Sequence, residues 1–251
     1  MRKSQIAVLS AAAAVALIIV GAIVAARIIV AQISTGEYGE RAADRSEARV
    51  ANLAADDLDL SGFDRIDARG TWEVSVTQGA EWDVSLEYSD EVADELRVRV
   101  EGDRLVLGYD EHEGFSWWRG FDFDGPDKVV ATITMPALEA LDLSGATEIE
   151  FSGFSGQELG ITASGAAEIN GSEGSYQELT LVVSGLSDVD LGELVVDDAR
   201  LVLSGAGDVT LNMNGGTLSG TVSGAGNVRY RGSVRQENVV TSGFSSVEPI
   251  D

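Results

Sequence analysis

Four carboxylates recur at a fixed interval: Glu148, Glu168, Asp188 and Asp208, each three residues after a glycine. Clustered carboxylate oxygens bind divalent cations such as calcium, and a line of them docks a basic partner. Glu150, Asn170, Asp190 and Thr210 follow two positions further along. On strands about 4.8 Å apart the four acids form a line whose like charges repel and raise one another's pKa. A solvated acidic face is the competing reading. Phe115, Trp117, Trp118, Phe121 and Phe123 crowd a loop rich in Gly and Asp. Exposed, they suit a protein or glycan partner; folded inward, they form a lid. In the same loop Asp122-Phe123-Asp124-Gly125-Pro126-Asp127 falls short of a calcium-binding EF-hand, which needs further oxygen ligands and flanking helices.

Six serines, Ser144, Ser164, Ser184, Ser204, Ser223 and Ser242, would be nucleophiles only beside a general base. The single His, His112, lies in the distant aromatic loop. Each serine precedes a glycine: Gly145, Gly165, Gly185, Gly205, Gly224 and Gly243. The pairs read as a structural corner ladder. Glycine turns the chain where other residues are strained, and the serine hydroxyl bonds the neighbouring segment's backbone or hydroxyl.

Composition narrows the chemistry further. The 251 residues contain no Cys and one His, which excludes disulfides, thiolate metal sites and the multi-imidazole sites of most zinc hydrolases. A net charge of -25 argues against nucleic acid and other polyanions as partners. The glycines follow strands and do not open helices, so phosphate-loop readings fail. Lyases of uronate polysaccharides draw on basic residues, and the repeat holds only Arg200, Arg229, Arg231 and Arg235. The chain is read as non-enzymatic, with no catalytic residue and no cofactor.

The elements that position these residues follow from spacing. The Ser-Gly pairs return at intervals of 20, 20, 20, 19 and 19 residues. Apolar residues alternate on both sides of each pair, Leu201 and Leu203 before and Val209 and Leu211 after, which is the period of a strand with one buried face. A chain that repeats every 19–20 residues with two short strands per repeat predicts a parallel β-helix, a solenoid of stacked rungs over residues 138–251. Asn170-Gly171, Gly220 and Thr241 break the apolar pattern, which predicts a loosened rung and a frayed C-terminal end. Residues 58–137 hold further strand-like runs, expected as N-terminal capping strands.

Arg2 and Lys3 precede an uncharged stretch of 21 residues, Ile6 to Ala26. As a helix it spans roughly 32 Å, against a hydrocarbon core of about 30 Å. Residues 1–33 are therefore read as a transmembrane signal-anchor; a signal peptide cleaved after Val24-Ala25-Ala26 is the alternative. Residues 34–57 form a charged stalk or linker. All 42 acids and 14 of the 17 bases lie in residues 34–251, a net charge of -28.

The runs Ser61-Gly62-Phe63-Asp64-Arg65-Ile66, Trp72-Glu73-Val74-Ser75-Val76-Thr77-Gln78-Gly79 and Leu201-Val202-Leu203-Ser204-Gly205-Ala206-Gly207-Asp208-Val209-Thr210-Leu211 resemble the GIN domain, the head of an auto-transporter adhesin. The similarity covers about residues 60–248. It implies a β-helical, secreted or envelope-attached bacterial domain and supplies no catalytic residues. The expected protein is an adhesion or interaction domain with an envelope protein or glycan as partner. It is held in the bacterial inner membrane by a single N-terminal helix, with the C-terminal domain outside the cytoplasm. Its alternatives are the ectodomain of an envelope stress or sensory system and a saccharide-binding or processing protein.

Overall fold

Period-two alternation decides the architecture. Ile66, Ala68, Trp72, Val74 and Val76 are all buried, as one face of a single strand requires. The same pattern buries Leu141, Leu143, Ile149 and Phe151, then Ile161, Ala163 and Ile169. The computed structural model describes residues 49–52, 60–89, 92–110 and 129–250. They form eleven strands: β1 (Arg49–Asn52), β2 (Arg65–Gln78), β3 (Asp83–Tyr88), β4 (Leu96–Glu101), β5 (Arg104–Tyr109), β6 (Val130–Met135), β7 (Ala140–Ser152), β8 (Ser155–Asn214), β9 (Thr217–Ser233), β10 (Gln236–Gly243) and β11 (Ser246–Pro249). β1 falls inside the stretch read from the sequence as a stalk or linker. No helix among the described residues is long and apolar enough to cross a membrane. The span expected at Ile6–Ala26 lies outside them.

The strands make one mixed sheet in the order β1-β3-β6-β2-β7-β8-β9-β10, with β5 also paired to β2, β4 to β5 and β11 to β9. β2 pairs in parallel with β7 from Arg65↔Ala140 to Thr77↔Ser152. β7 pairs in parallel with β8 from Ala140↔Gly160 to Ser152↔Ser172, and β8 with β9 from Ala199↔Leu218 to Asn214↔Ser233. The pairs β1–β3, β3–β6 and β4–β5 are antiparallel.

This architecture is all-β, but it corrects the expected parallel β-helix with capping strands. The observed order is an open path through a single mixed sheet. A 19–20-residue repeat dictates which residues stand opposite one another in neighbouring parallel strands, and carries no information on closure. The strands assigned to a cap are members of the same sheet, with β2 lying between β6 and β7.

Packing explains the breaks in the pattern. A side chain at Gly171 would collide with the Phe151 ring and come within 2.7 Å of Leu191 Cδ2, so the neighbours fill the position and nothing is loosened there. At the far end β10 is exposed, with Val240 66% accessible, and so is Phe244 just after it, at 70%. Trp72 lies at the junction between the irregular and repeating strands. Its Nε1 donates to the Arg69 carbonyl at 3.0 Å, and its ring centroid stands 5.5 Å from that of Tyr109.

Candidate functional site

Strand register turns the spaced acids into a line. Glu148 stands opposite Glu168, and Asp208 stands opposite Asn227. The line also begins one strand earlier than the repeat suggested, because Glu73 stands opposite Glu148. Asp188 feels Asp208, Glu168 and Asp190; partial desolvation first and these charges second hold its carboxyl above the usual range, against the pull of Arg229. At the C-terminal end the line is neutralised. Asn227 Nδ2 donates to Asp208 Oδ1 at 3.0 Å, Arg229 pairs with Asp208 at 3.6 Å, and Ser246 Oγ donates to Asn227 Oδ1 at 3.0 Å.

The calcium expectation for Glu148, Glu168, Asp188 and Asp208 is not supported. Among the described residues no group of three or more His, Cys, Asp or Glu is placed to hold a metal ion. The reason is geometric: the register delivers one carboxylate of this column per 19–20-residue repeat along a line, whereas calcium needs six to eight oxygens converging at about 2.3–2.6 Å.

The Ser-Gly pairs also fall into columns. Side chains at Gly165, Gly185, Gly205, Gly224 and Gly243 would each collide with the carbonyl of the glycine one repeat earlier, and Gly145 lies in the same way against Gly70. Two of the serines bond backward to the preceding segment, Ser164 Oγ to the Leu143 carbonyl at 3.5 Å and Ser223 Oγ to Leu203 at 3.1 Å. A hydroxyl-to-hydroxyl contact occurs in another column, Ser155 to Ser175 at 3.3 Å.

A groove of about 380 Å³ crosses the outer face of β2, β7 and β8 and is reached by Arg231 of β9. Its walls carry Glu150, Asp190, Glu193, Asn170 and Arg231, with serine hydroxyls between them. Gly192 has no side chain to block it; a Cβ there would stand 3.0 Å from Asp190 Oδ1 and 3.3 Å from Arg231 Nη2. The Gly192 N–H donates to Asp190 Oδ1 at 2.9 Å, which fixes that carboxylate. At the groove's margin, next to Ser172, Glu173 is held at a φ of 53°, alone among the described non-glycine residues in having a positive φ. Such strain is found most often at functional sites.

In the sequence Glu150 and Asp190 stand only as acids flanking the column, and Arg231 only as one of four bases in the repeat. The available signal was Gly192 in an outward column otherwise occupied by Ser152, Ser172 and Asn212. The aromatic candidates Phe115, Trp117, Trp118, Phe121 and Phe123, with His112 and the Asp122–Asp127 segment, lie outside the described residues.

The sequence pattern of the family described as "Putative auto-transporter adhesin, head GIN domain" matches residues 62–234, well over half of the chain. The chain belongs to this family. Among solved structures, one described as a "putative adhesin" from Bacteroides fragilis is 19% identical with a TM-score of 0.61, over 81% of this chain and 96% of that one. Another, described as a "Putative lipid binding protein" from Parabacteroides distasonis, is 15% identical with a TM-score of 0.50, over 82% and 96%. Likeness at these identities extends to the fold alone. No curated protein matches the chain.

Proposed function

We propose that this GIN-domain protein is a non-enzymatic adhesion or interaction domain, displayed outside the cytoplasm and tethered to the bacterial inner membrane by Ile6–Ala26. The family match over residues 62–234 is the observation that carries the reading. Two sequence features support the placement. The 21-residue uncharged stretch follows Arg2 and Lys3, the order that keeps an N-terminus in the cytoplasm. The net charge of -28 beyond residue 33 repels anionic headgroups and lets the domain stand off the bilayer toward a partner.

Cells producing the full chain with a C-terminal tag test both halves. The tagged protein should stay in the membrane pellet through a carbonate wash, and protease added to spheroplasts should remove the tag. Release by carbonate overturns the tether, and a protected tag overturns display outside the cytoplasm. Beads coated with the purified full chain should bind isolated cell envelopes saturably. Binding no greater than that of albumin-coated beads overturns adhesion.

A further inference from the structure

We propose that the groove over β2, β7 and β8 is a binding subsite for a neutral saccharide; this rests on the adhesion reading and names the class of ligand. The walls select by charge. A uronate or phosphate would meet the carboxylates of Glu150, Asp190 and Glu193. A bare metal cation would meet the Arg231 guanidinium and, among the described residues, no converging set of three acidic or imidazole ligands. An apolar ligand would strip water from all of these groups without replacing their hydrogen bonds.

A polyol satisfies both kinds of wall at once, because each sugar hydroxyl donates one hydrogen bond and accepts others. Carboxylates take the donated protons, and Arg231 and Asn170 supply N–H groups to the oxygens. The volume of about 380 Å³ lies in the range of small-molecule sites, about 300–1,000 Å³.

The groove is also built to hold its shape. Its residues stand on paired strands, which position side chains more accurately than loops do. Asp190 is oriented by the Gly192 N–H. Gly192 leaves open a space that borders both Asp190 Oδ1 and Arg231 Nη2, so an acceptor and a donor face the same small volume. Gly192 is not in the left-handed region, so a side chain there fills the groove without straining the backbone.

The test is a titration of the purified full chain with oligosaccharides of three charge types. The neutral probes are maltotetraose, mannotetraose and chitotetraose; oligogalacturonate is the anionic probe and a chitosan tetramer the cationic one. At least one neutral probe should bind, and more tightly than either charged probe. Gly192→Leu should fill the groove and push aside the ends of the Asp190 and Arg231 side chains, and Arg231→Ala should remove its donor fork; each should weaken that binding at least tenfold with an unchanged circular dichroism spectrum. Glu178→Gln, exposed and outside the groove, should bind as the original does. Preference for a charged probe, no neutral binding, or neutral binding unaffected by Arg231→Ala each overturns the proposal. The two readings fail separately: envelope binding that survives Gly192→Leu removes the groove and leaves adhesion. Saccharide binding without envelope binding removes adhesion and leaves the groove.

Discussion

The strands of residues 65–135 and those of residues 140–250 are held in register by different means. In the first region arginines stand among acids. Arg69 makes two hydrogen bonds to Asp67, at 2.9 and 2.6 Å. Arg104 reaches both Asp67, at 3.7 Å, and Asp142. Arg65 lies 3.4 Å from Asp103 and from Glu139. In the second region register comes from copying: aliphatic over aliphatic, glycine over glycine, carboxylate over carboxylate. A strand order without a repeat is free to place a base beside an acid. A sequence that repeats in register stacks like on like, which aligns the core and also aligns repulsion. The repeating region therefore draws its specificity from close backbone approach and carries an electrostatic cost that arginines offset at Asp67 and Asp142.

The largest effects should separate the two regions at their glycines. Gly185 has a φ of 130°, and a Cβ there collides with the Gly165 carbonyl, whereas Gly102 has a φ of 68° with nothing within 4 Å of its Cβ. Gly102→Ala meets only the left-handed backbone penalty, about 1–2 kcal/mol. Gly185→Ala adds a clash with backbone that cannot move aside, and should cost about 4 kcal/mol or more. Urea denaturation midpoints measure the difference. Equal losses would mean that the glycine column does not need its close approach. Trp72→Ala comes next, at about 3–5 kcal/mol. Because β2 pairs with β5, β6 and β7, this loss should appear as one cooperative transition by fluorescence and circular dichroism alike. Two separate transitions would show that the regions unfold independently.

What could be read from the sequence divides along the same line. In residues 140–250 the Ser-Gly spacing predicted which residues stand opposite one another, as Ser144↔Ser164 and Ser204↔Ser223 do. It did not predict the open mixed sheet, because a period is silent on closure. In residues 65–135 the strand-like runs Phe63–Arg69, Thr71–Gln78, Glu81–Tyr88, Leu96–Glu101, Arg104–Tyr109 and Val129–Met135 locate β2 to β6, but the turn read at Gln78-Gly79-Ala80 does not pair β2 with β3, whose partners are β1 and β6. The β2 register was nonetheless written in the chain: Ile66, Ala68, Gly70, Trp72 and Val74 match Leu141, Leu143, Gly145, Thr147 and Ile149 position by position. The 75-residue offset hid it, because the intervening strands interrupt the period. The groove was less legible still. It needs Glu150, Asp190 and Arg231 from three different segments, and only the strand pairing brings them together.

Glu173 marks a place where the repeat departs from its own rule. Gly153, one repeat earlier, has a φ of 88°, and Glu173 is forced to 53°. Glu173→Gly restores a residue that accepts this backbone, relieving about 1–2 kcal/mol of strain and losing about 0.4–1 kcal/mol through the greater freedom of the unfolded chain. The melting temperature should rise slightly. A fall would show that the Glu173 side chain holds the groove's margin in place.

The smallest effect addresses the stacked charge directly. Unfolded, Asp188 titrates near its ordinary value of 3.8, and in the folded domain its pKa is raised. Between those two values the folded state holds the proton more often than the unfolded chain does. Stability therefore falls as pH rises through that window, and the whole penalty is present above the folded pKa. Asp188→Asn removes the charge and should stabilise the domain by about 0.2–1 kcal/mol at pH 7, the scale of cross-strand charge pairs. The gain should fade as the pH falls through that window and vanish well below pH 3.8, where the Asp188 carboxyl is neutral in both states. The part of it that comes from Asp208, Glu168 and Asp190 should also shrink in 1 M salt, whereas the part that comes from desolvation should remain. Asp67→Asn tests the other region by the opposite sign: Asp67 is held by Arg69 and Arg104, so neutralising it should destabilise. Thermal melts of both variants across pH measure the pair. If Asp188→Asn destabilises at neutral pH as Asp67→Asn does, the acids of the repeat are paired like those of the irregular strands, and the contrast between the two regions fails.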